Sequence, residues 1–369
     1  MLAGLSLPAE AAGDWVVVPS PTYHDLDWLN AVAASSSTDA YAVGSSDSTT
    51  YQVLQHWDGT SWTKVRSVER AYHHGTLGFY LNDVAALAQG DVWIVGQVFR
   101  RHAPAGAPFT EHFDGVAWTD VSNPALHSPQ WSYQVPGWLN GVAAMAPDDI
   151  WAVGQWYPRG SARQLVEHWD GTAWARIPQR RVGALSFLYG VGGSGPDDVW
   201  ALGTHSTENG PYRTLIEHWD GKEWTLMTPL SPTATGGVLG AVSAIGPDDA
   251  WAVGLQEADN VYQPLIEHWD GHSWTVVSDG LRARGYAVLS DVVAIASDDV
   301  WAVGTHRTKA GIRALIEHWD GQHWTKVSSP PLGRHRSDLY GIGAIPGGGL
   351  WAVGDVFRRH QRTFIEHCC

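Results

Sequence analysis

The sequence predicts an all-β fold, a seven-bladed β-propeller of four-stranded antiparallel blades. Three observations predict it. The tetrapeptide Trp-Ala-Val-Gly, or a near variant, begins at Tyr41, Trp93, Trp151, Trp200, Trp251, Trp301 and Trp351, at spacings of 52, 58, 49, 51, 50 and 50 residues. A second signal, His-Trp-Asp-Gly-x-x-Trp or a variant, follows each copy, with its histidine at His56, His112, His168, His218, His268, His318 and His367. The seventh unit stops short of its last strand, while Asp14-Trp15-Val16-Val17-Val18 carries that strand's pattern. A sheet repeated radially at this period is a propeller.

Each unit reads as four short strands, and unit five illustrates them in order. Leu239–Ala244 is strand A, and Pro247-Asp248-Asp249 is a turn. Ala250–Gly254 is strand B, and a polar loop leads to strand C, Leu265–Trp269. Asp270-Gly271 predicts a tight hairpin in which both residues take positive φ. Trp274–Val277 is strand D. A β-solenoid is the competing architecture, but its coils are shorter and lack Asp-Gly hairpins. Residues 1–369 then form one propeller. Residues 14–18 supply strand D of blade seven, which ties the ring and covers an open sheet edge.

Composition narrows the class. The 369 residues are 44% hydrophobic and 17% charged, enough to build a core and too apolar for wholesale disorder. Two cysteines exclude a disulfide framework and a Cys-based zinc finger. No apolar run reaches the ~18 residues of a membrane helix. A net charge of −15 argues against a nucleic-acid partner. Of 22 Trp, 18 fall at three repeat positions, where packing between blades is expected. The apolar Met1–Gly13 segment reads as a tail or a signal-peptide remnant, so an extracytoplasmic or secreted location and a monomeric state are the expectation.

These units resemble the kelch and galactose-oxidase-like propellers, in which strand two ends in glycine and an aromatic-Asp turn precedes a Trp on strand four. The resemblance covers nearly the whole chain and implies the fold. The units carry one Gly after strand B where kelch has Gly-Gly. Copper-radical chemistry is not implied, because the only cysteines are Cys368 and Cys369, standing where other units have Trp-Asp.

A sevenfold repeated residue suits scaffold, so Glu167-His168, Glu217-His218, Glu267-His268 and Glu317-His318 are read as structural although they look like acid/base pairs. Function is expected in what does not repeat. The D–A and B–C connections open on one face and hold 19 of the 23 Lys and Arg but 9 of the 38 acids. That face is expected to be basic and the remainder acidic. The residue before the common Leu of strand A is Trp28, Tyr80, Trp138, Phe187, Val238, Val288 and Asp338 in blades one to seven. Two positions on stand Asn30, Asn82 and Asn140, on the same side of the strand. Aromatic plus amide suits a sugar ring. Cations gather in the late blades, among them Arg284, Arg307, Arg336 and Arg358.

The expected ligand-binding residues are therefore Trp28, Asn30, Tyr80, Asn82, Trp138, Asn140, Arg284, Arg307, Arg336 and Arg358. The expected partner is an acidic glycan or an anionic protein surface. No motif implies a cofactor or a metal, and no spacing singles out a catalytic residue. Two alternatives stand beside the binding module: a polysaccharide lyase or hydrolase acting on an acidic glycan, and a structural repeat protein without a small ligand.

Overall fold

A computed structural model describes residues 14–23, 26–46, 52–66, 76–100, 106–123, 136–208, 210–227, 236–258, 260–278, 285–333 and 335–369. It holds seven four-stranded antiparallel sheets. The A strands are Asp27–Ser36, Thr76–Ala88, Gly137–Ala146, Leu185–Gly195, Gly237–Gly246, Ala287–Ala296 and Arg336–Ala344. Each lies at one edge of its sheet, and neighbouring A strands contact each other around a closed ring from blade 1 to blade 7 and back. Segment 1–13 and Arg284 lie outside the described residues. Among the described residues no helix is long and apolar enough to cross a membrane.

Blade 7 closes as the N-terminal segment implied. Val16–Val17 pairs antiparallel with the last strand, Val16 opposite His367 and Val17 opposite Glu366. The Val18 amide then donates to the Ile365 carbonyl at 2.9 Å. Trp15, just before the strand, is buried among Trp301, Phe364 and Cys368.

Strand B sits inside its blade with other blades on both sides. Both of its faces are therefore buried, and the strand reads as a continuous apolar run instead of an alternation. Its closing glycine is required by close approach. A Cβ on Gly154 would lie 2.0 Å from the Trp138 carbonyl oxygen of strand A, beside the bulge between Leu139 and Gly141.

The core is divided among the blade interfaces. Trp151 and Val153 of blade 3, for example, pack against Leu188, Val191 and Val199 of blade 4. At five interfaces a strand B indole meets the strand C and strand D indoles of the next blade. Trp151 lies 5.1 Å from Trp219 and 5.3 Å from Trp224. The same triad recurs at Trp93, Trp200, Trp251 and Trp351. Such ring pairs add about 0.5–1.5 kcal/mol each beyond buried area. Between blades 1 and 2 the triad shrinks to Tyr41, Phe113 and Trp118, and a cavity of about 640 Å³ opens there. Between blades 6 and 7, Cys368 takes the middle place and is joined to Cys369 by a disulfide.

The C–D connection differs from the expected hairpin. Trp269 pairs with Trp274, so the loop has four residues, Asp270 to Ser273. Gly271 takes a φ of +86°, and Asp270 is not among the positive-φ residues. Instead, Asp270 Oδ1 accepts from the His272 and Ser273 amides at 2.9 and 2.8 Å. Asp supplies a side-chain cap here, and Gly alone supplies the left-handed backbone.

Candidate functional site

The repeated His and Glu separate because successive strand residues point to opposite sides. His218 Nε2 bonds Asp198 Oδ1 at 2.7 Å while its ring stacks on Trp200 at 4.0 Å. The same pairing joins His56, His112, His168, His268 and His318 to Asp39, Asp91, Asp149, Asp249 and Asp299. Blade 7 has Gly349 at the Asp position, beside His367. The glutamates turn to the other side and join blades. Asn123 of blade 2 donates to Glu167 of blade 3 at 2.7 Å, and Gln164 of blade 3 to Glu217 of blade 4 at 3.2 Å. Burial pushes Glu167, Glu217, Glu267 and Glu366 up to about 7.

At the loop face, the residue before the strand A Leu pairs with the residue after the strand B glycine. The pairs are Trp28–Ser45, Tyr80–Gln97, Trp138–Gln155, Phe187–Thr204, Val238–Leu255, Val288–Thr305 and Asp338–Asp355. Trp28, Tyr80 and Trp138 are half-buried at this level. Aromatic neighbours gather around it. Tyr80 meets Phe99 edge-on at 5.2 Å, and Trp138 lies 5.4 Å from Tyr157. Phe187 is 6.4 Å from Tyr189 and 6.2 Å from Tyr212. Burial raises the Tyr157 and Tyr189 hydroxyls.

The three asparagines have a neighbour to hold. Asn30 Nδ2 donates to the Leu81 carbonyl at 2.8 Å, Asn82 to Leu139 at 2.7 Å and Asn140 to Leu188 at 2.7 Å. Each amide thus ties its strand A to the next one around the channel, which sets the spacing of the aromatics above it.

Blade 7 replaces the aromatic with a polar cluster. Arg336 Nε donates to Asp338 Oδ2 at 2.6 Å, and Thr305 of blade 6 donates to Asp338 Oδ1 at 2.9 Å. Asp355, opposite Asp338, accepts from the Tyr340 hydroxyl and the Gln361 amide. Burial, reinforced by the Asp338 charge, pushes Asp355 up to about 6. Burial, the Asp355 charge and the Asp338 charge raise Tyr340 further. Arg307 is exposed, and its main-chain amide donates to the Tyr286 carbonyl at 2.7 Å. Arg358 is exposed at the loop after strand B of blade 7. The structure thus brings Arg336 together with Asp338, Tyr340 and Asp355. It leaves Arg358 on a separate loop.

In the sequence Asp338 stands out only as a break in the aromatic series, and nothing local marks Asp355 or Tyr340. The available signal was a carboxylate on each side of a cross-strand pair that is neutral in six other blades. Among the described residues no group of three or more His, Cys, Asp or Glu is placed to hold a metal.

No protein-family model matches the chain, and no curated protein sequence matches it. Solved structures do. YCF48 bound to D1 peptide is 16% identical with a TM-score of 0.60, over 98% of this chain and 99% of that one. An ulvan lyase of polysaccharide lyase family PL25, bound to -[GlcA(1-4)Rha3S]-, is 10% identical with a TM-score of 0.56, over 90% and 93%. A protein of unknown function from Dyadobacter fermentans is 10% identical with a TM-score of 0.52, over 98% and 99%. At these identities the shared property is the seven-bladed fold. The kelch-like character of the repeats finds no matching family.

Proposed function

We propose that the chain is a binding module for an acidic glycan, held on the loop face above the A strands. The observation that carries this reading is one ring of equivalent positions. It is aromatic at Trp28, Tyr80, Trp138 and Phe187 and becomes an arginine-carboxylate cluster at Arg336 and Asp338. Asp338 stands at the level of the stacking surface, and Arg336, two residues before it on the same strand, is tied to that level by its bond to Asp338. This gives the stacking surface and cationic donor that an amphipathic anionic sugar needs. A propeller of the same fold carries a glucuronate-containing glycan, which supports the choice of class. A monomeric, extracytoplasmic protein is part of the same proposal.

The test is titration of an acidic oligosaccharide at two ionic strengths. Trp138→Ala is expected to weaken binding at both, since stacking on an aromatic contributes about 1–3 kcal/mol in nucleic-acid systems. Arg336→Ala is expected to weaken it mainly at low salt, because exposed charge contacts are worth about 1 kcal/mol or less and are screened. The double variant Arg336→Ala/Asp338→Asn separates the lost cation from an unpaired Asp338. Binding indifferent to all three variants removes this face.

A catalytic reading on the same class of glycan has one specific support. Asp355, pushed up to about 6, sits beside Tyr340 and across from Asp338 on this face, and a carboxylate poised near neutrality suits proton transfer. Release of new reducing ends or unsaturated products from acidic glycans, lost in Asp355→Asn, decides for it.

A further inference from the structure

Blade 3 carries a second pocket, away from the A strands. It has a volume of about 190 Å³ and is lined by Trp156, Arg163, Arg176, Arg180 and Arg181. The arginines come from three places in the blade. Arg163 opens strand C opposite Trp156 at the end of strand B, Arg176 ends strand D, and Arg180 and Arg181 follow in the D–A connection.

Three of these guanidiniums are held in place by neutral groups. Arg163 Nη1 donates to the Ala162 carbonyl at 2.8 Å and also to that of Ala184. Arg181 Nε donates to the Gly183 carbonyl at 3.2 Å. The Arg176 guanidinium lies over the Trp156 ring, 4.3 Å from its centroid. The Arg180 backbone is anchored through its carbonyl, which accepts from Gln164 at 2.8 Å. Among the described residues none of the four forms an ion pair with a carboxylate. Glu167, opposite Arg176 across strands C and D, is buried and accepts from Asn123. Burial, and then the Arg181 charge, lower the Arg163 pKa.

We propose that this pocket is a subsite for a sulfate or phosphate ester group. Four arginines line one pocket, none in an ion pair among the described residues. The one carboxylate whose charge acts on them, Glu167 beside Arg176, is buried and pushed toward its neutral form, so the pocket calls for an anion from outside. A carboxylate offers two acceptor oxygens and is satisfied by one bidentate arginine, whereas a sulfate or phosphate ester offers three and suits an arginine cluster. The volume falls below the ~300–1,000 Å³ of a pocket for a drug-sized ligand, so it accepts a charged substituent and not a whole ring system. The carrier is a glycan; the site rests on the reading under Proposed function for that carrier alone.

The experiment is calorimetric titration of the full chain with a sulfated tetrasaccharide, its desulfated counterpart, inorganic sulfate and inorganic phosphate. Arg176→Gln and Arg180→Gln are each expected to weaken the sulfated probe about fivefold at low salt, as an exposed charge contact does, and to leave the desulfated probe and the melting temperature unchanged. Trp138→Ala serves as the control, weakening both saccharides alike. Sulfated and desulfated probes binding equally, or wild-type affinity in both arginine variants, overturns the pocket. Inorganic sulfate or phosphate binding as tightly as the sulfated tetrasaccharide, with the same losses in the arginine variants, retains the oxyanion site and overturns its glycan carrier. Loss confined to Trp138→Ala supports the channel-mouth reading and overturns this one.

Discussion

Asp338 and Asp355 face each other across strands A and B of blade 7, at the level where six other blades pair two neutral residues. Asp338 is countered by Arg336 at 2.6 Å, while Asp355 is buried and its Oδ1 meets no donor among the described residues. A folded-state pKa of about 6, above the ordinary 3.8, means that folding favours its protonated form. Stability from this group is present at low pH and lost as pH rises through about 6. Asp355→Asn is therefore expected to raise the melting temperature at pH 8 relative to wild type. The gain is expected to shrink toward pH 4. Thermal melts of both proteins at the two pH values check this, and an equal shift at both contradicts it.

The whole chain is expected to follow a related curve. Burial pushes Glu167, Glu217, Glu267, Glu366, Asp83 and Asp291 up to about 7, so each takes up a proton more readily in the folded state. Half-buried His205, His306 and His367 are lowered by partial burial and act in the opposite sense, through protons gained on unfolding. The loop caps Asp58 and Asp170 are held down at about 2 by hydrogen bonds from Thr60 and Thr172 and the loop amides, so their contribution is lost as pH falls through that value. With Asp355, seven raised acids outnumber the three histidines. Melting temperature is expected to rise from pH 8 to about 5 and to fall below about 4. A profile that declines steadily from pH 8 to 5 overturns the assignment of the glutamates as the dominant groups.

His218→Ala removes both the bond to Asp198 and the stacking on Trp200. Asp198 is 6% exposed and keeps Ser194 as its other side-chain partner. Leaving a buried acceptor short of a donor costs about 1–3 kcal/mol. The variant is expected to melt earlier while binding the same ligand at the same affinity below its melting point. Lost binding at unchanged melting temperature would instead place His218 in a site.

Removing residues 1–18 takes away Trp15 and the strand opposite His367 and Glu366. The last strand of blade 7 then exposes an unpaired edge. Loss of a single cooperative melt, or aggregation, is expected in calorimetry and light scattering. A truncated chain that melts as the full one does contradicts the closing role.

The architecture was legible because each blade repeats the same local requirements. Gly154 and its equivalents must lack a Cβ, and Asp170 and its equivalents must cap a loop, so both recur at fixed spacing. The Asp-Gly pair predicts a tight hairpin with positive φ at both residues, while the structure needs it at Gly alone. The loop face was legible as a series of aromatics, since Trp28, Tyr80 and Trp138 occupy one register position. Convergence was not legible. Trp156, Arg163, Arg176 and Arg181 are separated along the chain and meet only because strands B, C and D of one blade end side by side. The asparagines were read for their chemistry, but their hydrogen-bond partners lie one blade away, about fifty residues on.

The interfaces between blades are not equal seals. Five are closed by three indoles, and the interface at Trp301 keeps Trp15 across from it, 5.9 Å away. The one at Tyr41, Phe113 and Trp118 has two smaller rings and an open cavity. A ring under thermal or mechanical load parts where the least cohesion spans the joint. That fracture line runs between blades 1 and 2, two joints from where the chain is stapled by Val16 and Val17. Backbone amides flanking Tyr41 and Phe113 accordingly trade their hydrogens with solvent before those beside Trp151 or Trp200, and the ring uncoils from a defined seam rather than from its ends.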